Sequence, residues 1–497
     1  MAPRVVSRAA GLGALTAAGQ LIIVGSLPVY SKVFDPDTYG QYVIFVGTVG
    51  VVSVLAGVRY DSAIVLPRSD AVARALSALV ILIAAVVAGL VVAGTLVASV
   101  RPSAGRLMAG QPFGYGLAAA TLIGALQRAL SSWCVRRGRF LLMGFGAFAL
   151  ALVTVAAQLS LVRAWDQRTA LVWGYVCALG VQTACLASPE VLSGRRGLWR
   201  RGVSWRGMWI AARRYRRFPT YMVGYALASS ARDRLIQIVL GIGNGAAVVG
   251  RFGLAYRVAF APNSLIYSAI SPIFFAIASR GSKAAVSRFA AAAVEATFLF
   301  LLVPYIAFAL EAPALTEALL SDKWRGTGPY LQALAGPALM LAATCWLDRA
   351  FDSFRRQNVA FTLEASFTVV SVTLIAVLSG RTDAVAIAWA FGALGIAYYW
   401  TYFAVTFVAC GFPRAGLWRV CETGALATAA TLVFGALVHQ LPGFLLRLGG
   451  YVVLMSVVIL LWVRFRNGAD ILRKLLHSRV GDGPELEPTR RMNGPAT

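Results

Sequence analysis

Charged side chains are scarce in this sequence, 13% of 497 residues against 59% hydrophobic. A soluble domain carries about a quarter charged residues, so a water-covered globular surface is excluded and a polytopic membrane protein is implied. Histidine is nearly absent. His439 and His477 are the only two, and the topology derived below puts them on opposite sides of the membrane, which argues against a His-based metal site. The six cysteines, Cys134, Cys177, Cys185, Cys345, Cys410 and Cys421, form no CxxC pair and sit mostly in or beside apolar runs. Their expected role is packing, with no disulfide, metal or cofactor. No Walker A sequence is present, and Gly241-Ile242-Gly243-Asn244-Gly245 lacks the Lys-Ser/Thr that phosphate cradling uses, so it reads as a turn. Extended outer loops are lacking as well: the longest expected, about 311–328, holds Glu311, Glu317 and Asp322. That leaves little room for the catalytic loops of a membrane glycosyltransferase or polymerase, and a transporter is expected in place of an enzyme.

What the chain has in abundance is long apolar runs. A span needs about 20 mostly apolar residues to cross roughly 30 Å of hydrocarbon. Fourteen candidates satisfy this, at about 10–31, 39–58, 75–99, 113–132, 140–162, 170–189, 219–241, 248–278, 290–310, 329–347, 359–379, 384–409, 421–440 and 447–463. The first run follows Arg4 and Arg8, has no clean small-x-small cleavage site and reads as an uncleaved helix.

The net charge of +26 invites a nucleic-acid reading, but its distribution excludes one. With a cytoplasmic N-terminus, about 33 of the 46 Lys and Arg fall in inner segments, among them Arg128, Arg136, Arg137 and Arg139 and groups around 280–288, 349–356 and 414–419. This asymmetry is the positive-inside rule, and with fourteen spans it puts both termini in the cytoplasm. The densest block, 191–217, has nine arginines and no acid. Its Trp199, Trp205, Trp209 and Ile210 among arginines point to an interfacial segment on anionic headgroups, or to an ordinary basic loop.

This block divides the chain. The expected organisation is an N-terminal lobe of six spans (1–190), the basic cytoplasmic linker (191–217), a C-terminal lobe of six spans (218–410), two additional spans (411–466) and a polar tail (467–497), mostly disordered apart from a basic amphipathic stretch at Ile471–Val480. A short internal repeat supports two lobes: Thr38-Tyr39-Gly40-Gln41-Tyr42 opens span two as Val248-Val249-Gly250-Arg251-Phe252 opens span eight. Six helices separate the copies, so the repeats are parallel and a central cavity is expected between them. The fold class is therefore an all-α polytopic membrane protein of about fourteen helices, two six-helix lobes around a cavity plus two C-terminal helices.

One span violates hydropathy. Arg232-Asp233-Arg234 lies within 218–242, although a charge at the bilayer centre is unfavourable by roughly 2.5–3.5 kcal/mol even on the lenient insertion scale. On a helical wheel Tyr221, Tyr225, Ser229, Arg232, Asp233 and Gln237 form one polar stripe, with Arg234 at its margin. Arg232 precedes Gly241 by nine residues, about 13 Å at 1.5 Å per residue, and Arg257 follows Val248 by nine in the returning helix, so the two share a level. Arginines with one carboxylate suit an anion, because guanidinium offers a fork of donors that matches phosphate oxygens. A structural alternative has Asp233 neutralising one arginine while the others snorkel.

Other polar positions are Arg59-Tyr60-Asp61 at the cytoplasmic end of span two, as a headgroup contact or a helix anchor, and the intramembrane Glu295 and Glu364. The two glutamates are candidates for ion coupling or, preferentially, partners of loop arginines. Pro28, Pro262, Pro272 and Pro304 are expected to kink their spans.

The segment Leu27-Pro28-Val29-Tyr30-Ser31-Lys32-Val33-Phe34-Asp35-Pro36-Asp37-Thr38-Tyr39-Gly40, followed by Val58-Arg59-Tyr60-Asp61-Ser62-Ala63-Ile64-Val65-Leu66-Pro67, resembles the Wzx-type flippases among the polysaccharide biosynthesis proteins. Arg217-Phe218-Pro219 and the run from Val249 to Val258 resemble the second-lobe counterpart. The resemblance implies the fold of the multidrug/oligosaccharidyl-lipid/polysaccharide exporter superfamily and alternating access. It implies as substrate an undecaprenyl-pyrophosphate-linked oligosaccharide moved to the outer leaflet, with membrane lipid and polysaccharide polymerase and export machinery as partners. Arg59 and Arg257 match the cavity arginines of the related lipid II flippases, whereas span one offers only Gln20 where that pattern has an arginine. The alternatives are a cation-coupled small-molecule or multidrug exporter of the same fold and a membrane glycosyltransferase or polymerase.

Overall fold

The computed structural model describes residues 2–67, 69–100, 111–187, 204–216, 223–280, 282–354 and 356–465; the side chains of 225–235 lie outside that description. Regular structure among the described residues is entirely helical. The order is α1 (Ala2–Gly25), α2 (Leu27–Val33), α3 (Pro36–Gly57), α4 (Tyr60–Ala63), α5 (Asp70–Val100), α6 (Gln111–Arg136), α7 (Phe140–Leu161), α8 (Gln167–Leu186), α9 (Trp205–Arg214) and α10 (Val223–Asn244). It continues with α11 (Ala246–Ala259), α12 (Ala261–Arg280), α13 (Lys283–Leu319), α14 (Gly328–Thr344), α15 (Asp348–Ser353), α16 (Gln357–Leu378), α17 (Ala384–Ala409), α18 (Arg414–His439) and α19 (Phe444–Phe465).

Among the described residues, eleven helical stretches are long and apolar enough to cross a membrane. The three remaining expected spans are helical too, but each is interrupted or more polar. The 113–132 span is α6, which carries Arg128, and the 219–241 span is α10, which carries Arg232-Asp233-Arg234. The 248–278 span is two helices, α11 and α12, parted at Phe260. Pro262 has no N–H to donate and its ring crowds the carbonyl one turn back, so the helix restarts there. The Tyr305 hydroxyl donates to the Ala259 carbonyl at 2.8 Å, satisfying an acceptor at the break. The loop expected over 311–328 is shorter than hydropathy indicates, because α13 runs on to Leu319 through Pro304 and Pro313. Glu311 and Glu317 are therefore helical residues.

The two lobes are built to one plan. In the first, α1 packs on α7, α3 on α6, α5 on α6, α6 on α8 and α7 on α8. Six spans later the same pairs recur, α10 on α16, α11 on α14, α13 on α14, α14 on α17 and α16 on α17. The contacts between lobes obey the same exchange: α3 meets α11, α3 meets α10, and α1 meets α12. The expected parallel repeat is thus a property of the packing.

Its axis passes beside two glycines. A Cβ on Gly40 would collide with the Ala246 carbonyl, and a Cβ on Gly250 with the Pro36 carbonyl, each also facing the other glycine's amide nitrogen. One turn further, a Cβ on Gly253 would lie 2.7 Å from Val43 Cγ2. The repeated glycine therefore lets α3 and α11 approach backbone to backbone, the use that membrane helices make of small residues.

This end of the bundle is sealed by side chains as well. Lys323 Nζ lies 2.9 Å from Asp35 Oδ1, Trp324 Nε1 donates to the Phe34 carbonyl at 3.2 Å, and Ser321 donates from its amide and its hydroxyl to the hydroxyl and carbonyl of Ser31. The C-terminal pair is stapled to α13 at both ends. Glu295, 2% exposed, is 3.2 Å from Arg419 Nε of α18 and accepts from Trp462 Nε1 of α19 at 3.1 Å. Glu311, 4% exposed, is 2.9 Å from His439 Nδ1, 3.0 Å from Arg447 Nε and 3.3 Å from the Tyr451 hydroxyl. The 467–497 tail, including Ile471–Val480, and the linker residues 191–203 and 217 lie outside the described residues.

Candidate functional site

The chain leaves α3 through two consecutive residues in the left-handed region, Val58 (φ 42°) and Arg59 (φ 58°). Branched side chains avoid this region, and such positions hold roughly 1–3 kcal/mol of strain each. The fold over-determines the turn. Arg136 of α6 pairs with Asp70 at 2.9 Å and donates to the carbonyls of Val65 and Pro67, while Ala63 and Ile64 are fully buried. The result of the strain is that Arg59 and Asp61 are directed into a cavity of about 460 Å³ inside the first lobe.

Helices α3, α6, α7 and α8 line that cavity, with Ser53, Arg59, Asp61, Gln127, Arg128, Tyr175 and Gln182 as its polar side chains. Arg128 Nη2 donates to the Ser53 carbonyl at 2.9 Å, which aims its guanidinium, and Nε stands 3.9 Å from Asp61 Oδ2. Gly57 and Gly124 keep the space open: a Cβ on Gly57 would sit 3.2 Å from Asp61 Oδ1, and one on Gly124 3.6 Å from Arg128 Nη1. Arg59 Nε is buried with no hydrogen-bond partner. Two guanidiniums against one carboxylate leave one formal positive charge and unused donors, the complement of a phosphate-bearing anion.

A column of tyrosines runs from this cavity toward the sealed end. Tyr175 meets Tyr42 with ring centroids 6.4 Å apart, Tyr42 meets Tyr39 at 5.8 Å, and Tyr39 meets Trp324 at 5.5 Å. Arg257 terminates the column, donating from Nη1 to the Tyr39 hydroxyl at 3.2 Å. Tyr30 and Tyr42 complete its electrostatic surroundings, and Tyr30 is itself tied to Gln158, whose amide donates to the Leu171 carbonyl at 2.8 Å.

The sequence-derived candidates are therefore distributed unequally. Arg59 lines the cavity. Arg257 joins the two lobes through Tyr39 and is not among the lining residues. Gln237 of α10 is buried, with Oε1 unpartnered. The side chains of Tyr225, Arg232, Asp233 and Arg234 lie outside the described residues, although their backbone belongs to α10. Glu295 is engaged by Arg419 and Trp462, and Glu364 is half-buried on α16.

Sequence reading missed Arg128, Gln127, Tyr175 and Gln182. Arg128 was grouped with Arg136, Arg137 and Arg139 as part of a basic inner end, because a charge near a span boundary looks like a loop residue. Its helical phase carries the distinguishing signal: Gly124 and Arg128 are four apart and share one face. In the second lobe hydropathy also hid a charged cluster, the Tyr267 hydroxyl donating to Asp348 Oδ2 at 3.0 Å and accepting from Arg349 Nη2 at 2.8 Å.

Comparison with solved structures places this architecture. The lipid II flippase MurJ, in an inward closed conformation, superposes with a TM-score of 0.70 at 9% identity, over 91% of this chain and 98% of that one. A multidrug resistance MATE family transporter of the MOP superfamily, inward-facing, gives 0.59 at 12% identity over 80% and 94%. A MATE transporter of Vibrio cholerae gives 0.51 at 18% identity over 82% and 97%. At these identities the likeness is one of fold. No curated protein matches the chain. The family described as polysaccharide biosynthesis protein matches residues 29–329, from within α2 through the first lobe and the opening helices of the second to the start of α14. That match spans more than half of the sequence, and the chain belongs to the polysaccharide biosynthesis protein family.

Proposed function

We propose that the protein is a flippase that moves an undecaprenyl-pyrophosphate-linked oligosaccharide from the cytoplasmic to the outer leaflet by alternating access. The observation that carries this reading is the Arg59–Asp61–Arg128 cavity, charged and donor-rich at one end of a bundle whose other end is closed by the paired repeats. In this reading the Arg59 end faces the cytoplasm, in keeping with the positive-inside distribution, and the sealed end faces outward. The pyrophosphate binds between Arg59 and Arg128, and the polyprenyl tail stays in the bilayer. Opening of the sealed end separates Gly40 from Gly250 and frees Arg257 from Tyr39, exposing a second cation toward which the anion moves. Arg232 and Arg234 on α10, with Asp233, Tyr225 and Gln237, are assigned to the same route. Glu295 holds the C-terminal pair in place, and Glu364 on α16 is retained as the ion-coupling candidate.

The test is reconstitution with a labelled polyprenyl-pyrophosphate oligosaccharide and measurement of leaflet exchange. Charge-assisted hydrogen bonds contribute about 1.5–3 kcal/mol each, so Arg59→Ala with Arg128→Ala lowers exchange by more than about tenfold. Unchanged exchange in that double variant sinks the site, and no exchange by the wild-type protein sinks the function. The MATE likeness supports a cation-coupled exporter as the second reading, which drug-driven proton release from the same vesicles would establish. Sugar transfer in detergent, without two compartments, would indicate an enzyme.

A further inference from the structure

Helix α9 belongs to neither lobe's set of spans. It is a short amphipathic helix, capped by the Ser204 hydroxyl accepting from the Gly207 amide at 3.1 Å. At about 100° per residue, Met208, Ala211 and Ala212 fall on one side, and they pack with Tyr215 against a cluster of α5 and the α4 turn that includes Tyr60, Ile64 and Leu76. The rest of the helix surface is exposed: Trp205 and Trp209 on the flank, 69% and 65% exposed, and Ile210, 57% exposed, on the opposite side, interleaved with the exposed Arg206, Arg213 and Arg214. No acid occurs in 191–217 to neutralise them. Indoles beside guanidiniums, without carboxylates, are the composition that sits at the boundary of acyl chains and anionic headgroups. A protein-binding face would keep its aromatic anchors together and desolvated at the centre, with charge at the rim.

The buried side of α9 reaches the candidate site. The Tyr60 hydroxyl donates to the Ala212 carbonyl at 3.2 Å, one of the last-turn carbonyls that a helix leaves without an internal partner. Tyr60 directly follows the two left-handed residues whose turn directs Arg59 into the cavity. A displacement of α9 is therefore transmitted through one hydrogen bond to a strained turn that carries a binding cation.

We infer that α9 docks on an anionic lipid surface and that this docking holds Arg59 in its binding position, making the cavity's affinity for a pyrophosphate group depend on the charge of the surrounding lipid. The regulatory part rests on the pyrophosphate reading of the cavity; the docking part does not.

Two measurements on the full chain in nanodiscs separate them. Docking is read from quenching of tryptophan fluorescence by brominated lipid. Among the twelve tryptophans, Trp205 and Trp209 contribute quenching that is stronger with brominated phosphatidylglycerol than with brominated phosphatidylcholine, and that excess disappears in Trp205→Phe/Trp209→Phe and shrinks in Arg206→Gln/Arg213→Gln/Arg214→Gln. Equal quenching by the two lipids, or an excess that survives the tryptophan substitutions, overturns docking and leaves a protein partner as the occupant of the face. Coupling is read from titration with inorganic pyrophosphate, comparing wild type with Tyr60→Phe in the same discs so that surface repulsion cancels. In phosphatidylglycerol discs wild type binds more tightly than Tyr60→Phe by roughly fivefold, the equivalent of about 1 kcal/mol, the scale of one arginine at an anionic surface. In phosphatidylcholine discs the two bind alike. A wild-type to Tyr60→Phe ratio that is the same in both lipids overturns the coupling. Absence of pyrophosphate binding in every disc overturns the reading of the cavity, while the quenching result still decides docking.

Discussion

The two lobes share every principal helix pair, yet their charged groups are arranged differently. In the first lobe α3 is continuous for 22 residues and ends in the left-handed pair Val58-Arg59, which leaves a guanidinium nitrogen buried and unpartnered beside a cavity. In the second lobe the equivalent span breaks at Phe260 in ordinary helical geometry (φ −94°), continues as α12, and meets a Tyr267–Asp348–Arg349 cluster joined by hydrogen bonds through the Tyr267 hydroxyl. Duplication thus supplies the frame and its glycine seam, and the departures from symmetry mark where binding energy is kept available. Buried polar groups in native proteins are nearly always paired; unpartnered atoms occur in both lobes, Arg251 Nε and Asn263 in the second, and among the described residues Arg59 Nε is the one that lines the cavity.

The largest effect should come from the seam itself. Gly40→Ala and Gly250→Ala each push a methyl into a partner backbone that cannot rotate away, so each should destabilise by about 3 kcal/mol or more, at the upper end of overpacking effects. If the pair is truly symmetric, the two melting-temperature losses in detergent will agree; a large loss for one alone would show that the repeats do not share the contact equally.

Next is a feature found only in the second lobe. Glu311→Gln removes the counter-charge of Arg447. Breaking a buried ion pair is unfavourable by about 3–5 kcal/mol; with Arg447 22% exposed, about 2 kcal/mol is expected after that discount. Limited proteolysis between α17 and α18 should accelerate as the C-terminal pair loosens. An unchanged rate would mean that Glu295 alone anchors it.

A smaller change of opposite sign is expected in the first lobe. Val58→Gly relieves a branched residue at positive φ and should stabilise by about 1 kcal/mol. Pyrophosphate binding should weaken in the same variant, because the turn no longer fixes Arg59. Stabilisation with undiminished binding would show that the strain serves no purpose at the site.

The smallest effect concerns Asp166, which caps α8 through the Thr169 amide at 3.1 Å. Those hydrogen bonds hold its carboxyl below the ordinary range. Because the folded value is the lower one, the cap's contribution is complete above the unfolded value near ~3.9 and fades as the pH falls through the folded value. Asp166→Ala should lower stability by about 0.5–1 kcal/mol at neutral pH, with the difference from wild type vanishing in acid melts.

Much of the frame was legible in advance for simple reasons. Backbone groups in hydrocarbon must bond within their own segment, so apolar runs of span length fix helices. The match of Tyr39-Gly40 with Val249-Gly250 falls on residues that meet at the seam, whereas the repeat by itself points only to two lobes with a cavity between them. The site was less legible. A helical wheel sorts residues by face but does not say which faces meet, so Arg257, paired by depth with Arg232, proved to be held by Tyr39 across the lobe boundary, and Arg128 was hidden among arginines of a basic inner end.

By itself, the sequence determined that this protein is a duplicated helical membrane bundle of the polysaccharide biosynthesis family with arginines inside it, because hydrophobicity, charge bias and a repeated glycine are local properties. Only the tertiary structure decided which arginines share a cavity, which one locks the lobes and which carboxylates staple the C-terminal helices. Those outcomes depend on crossing points, a left-handed turn at Val58-Arg59 and a break at Phe260, and all three are set by packing between segments far apart in the chain.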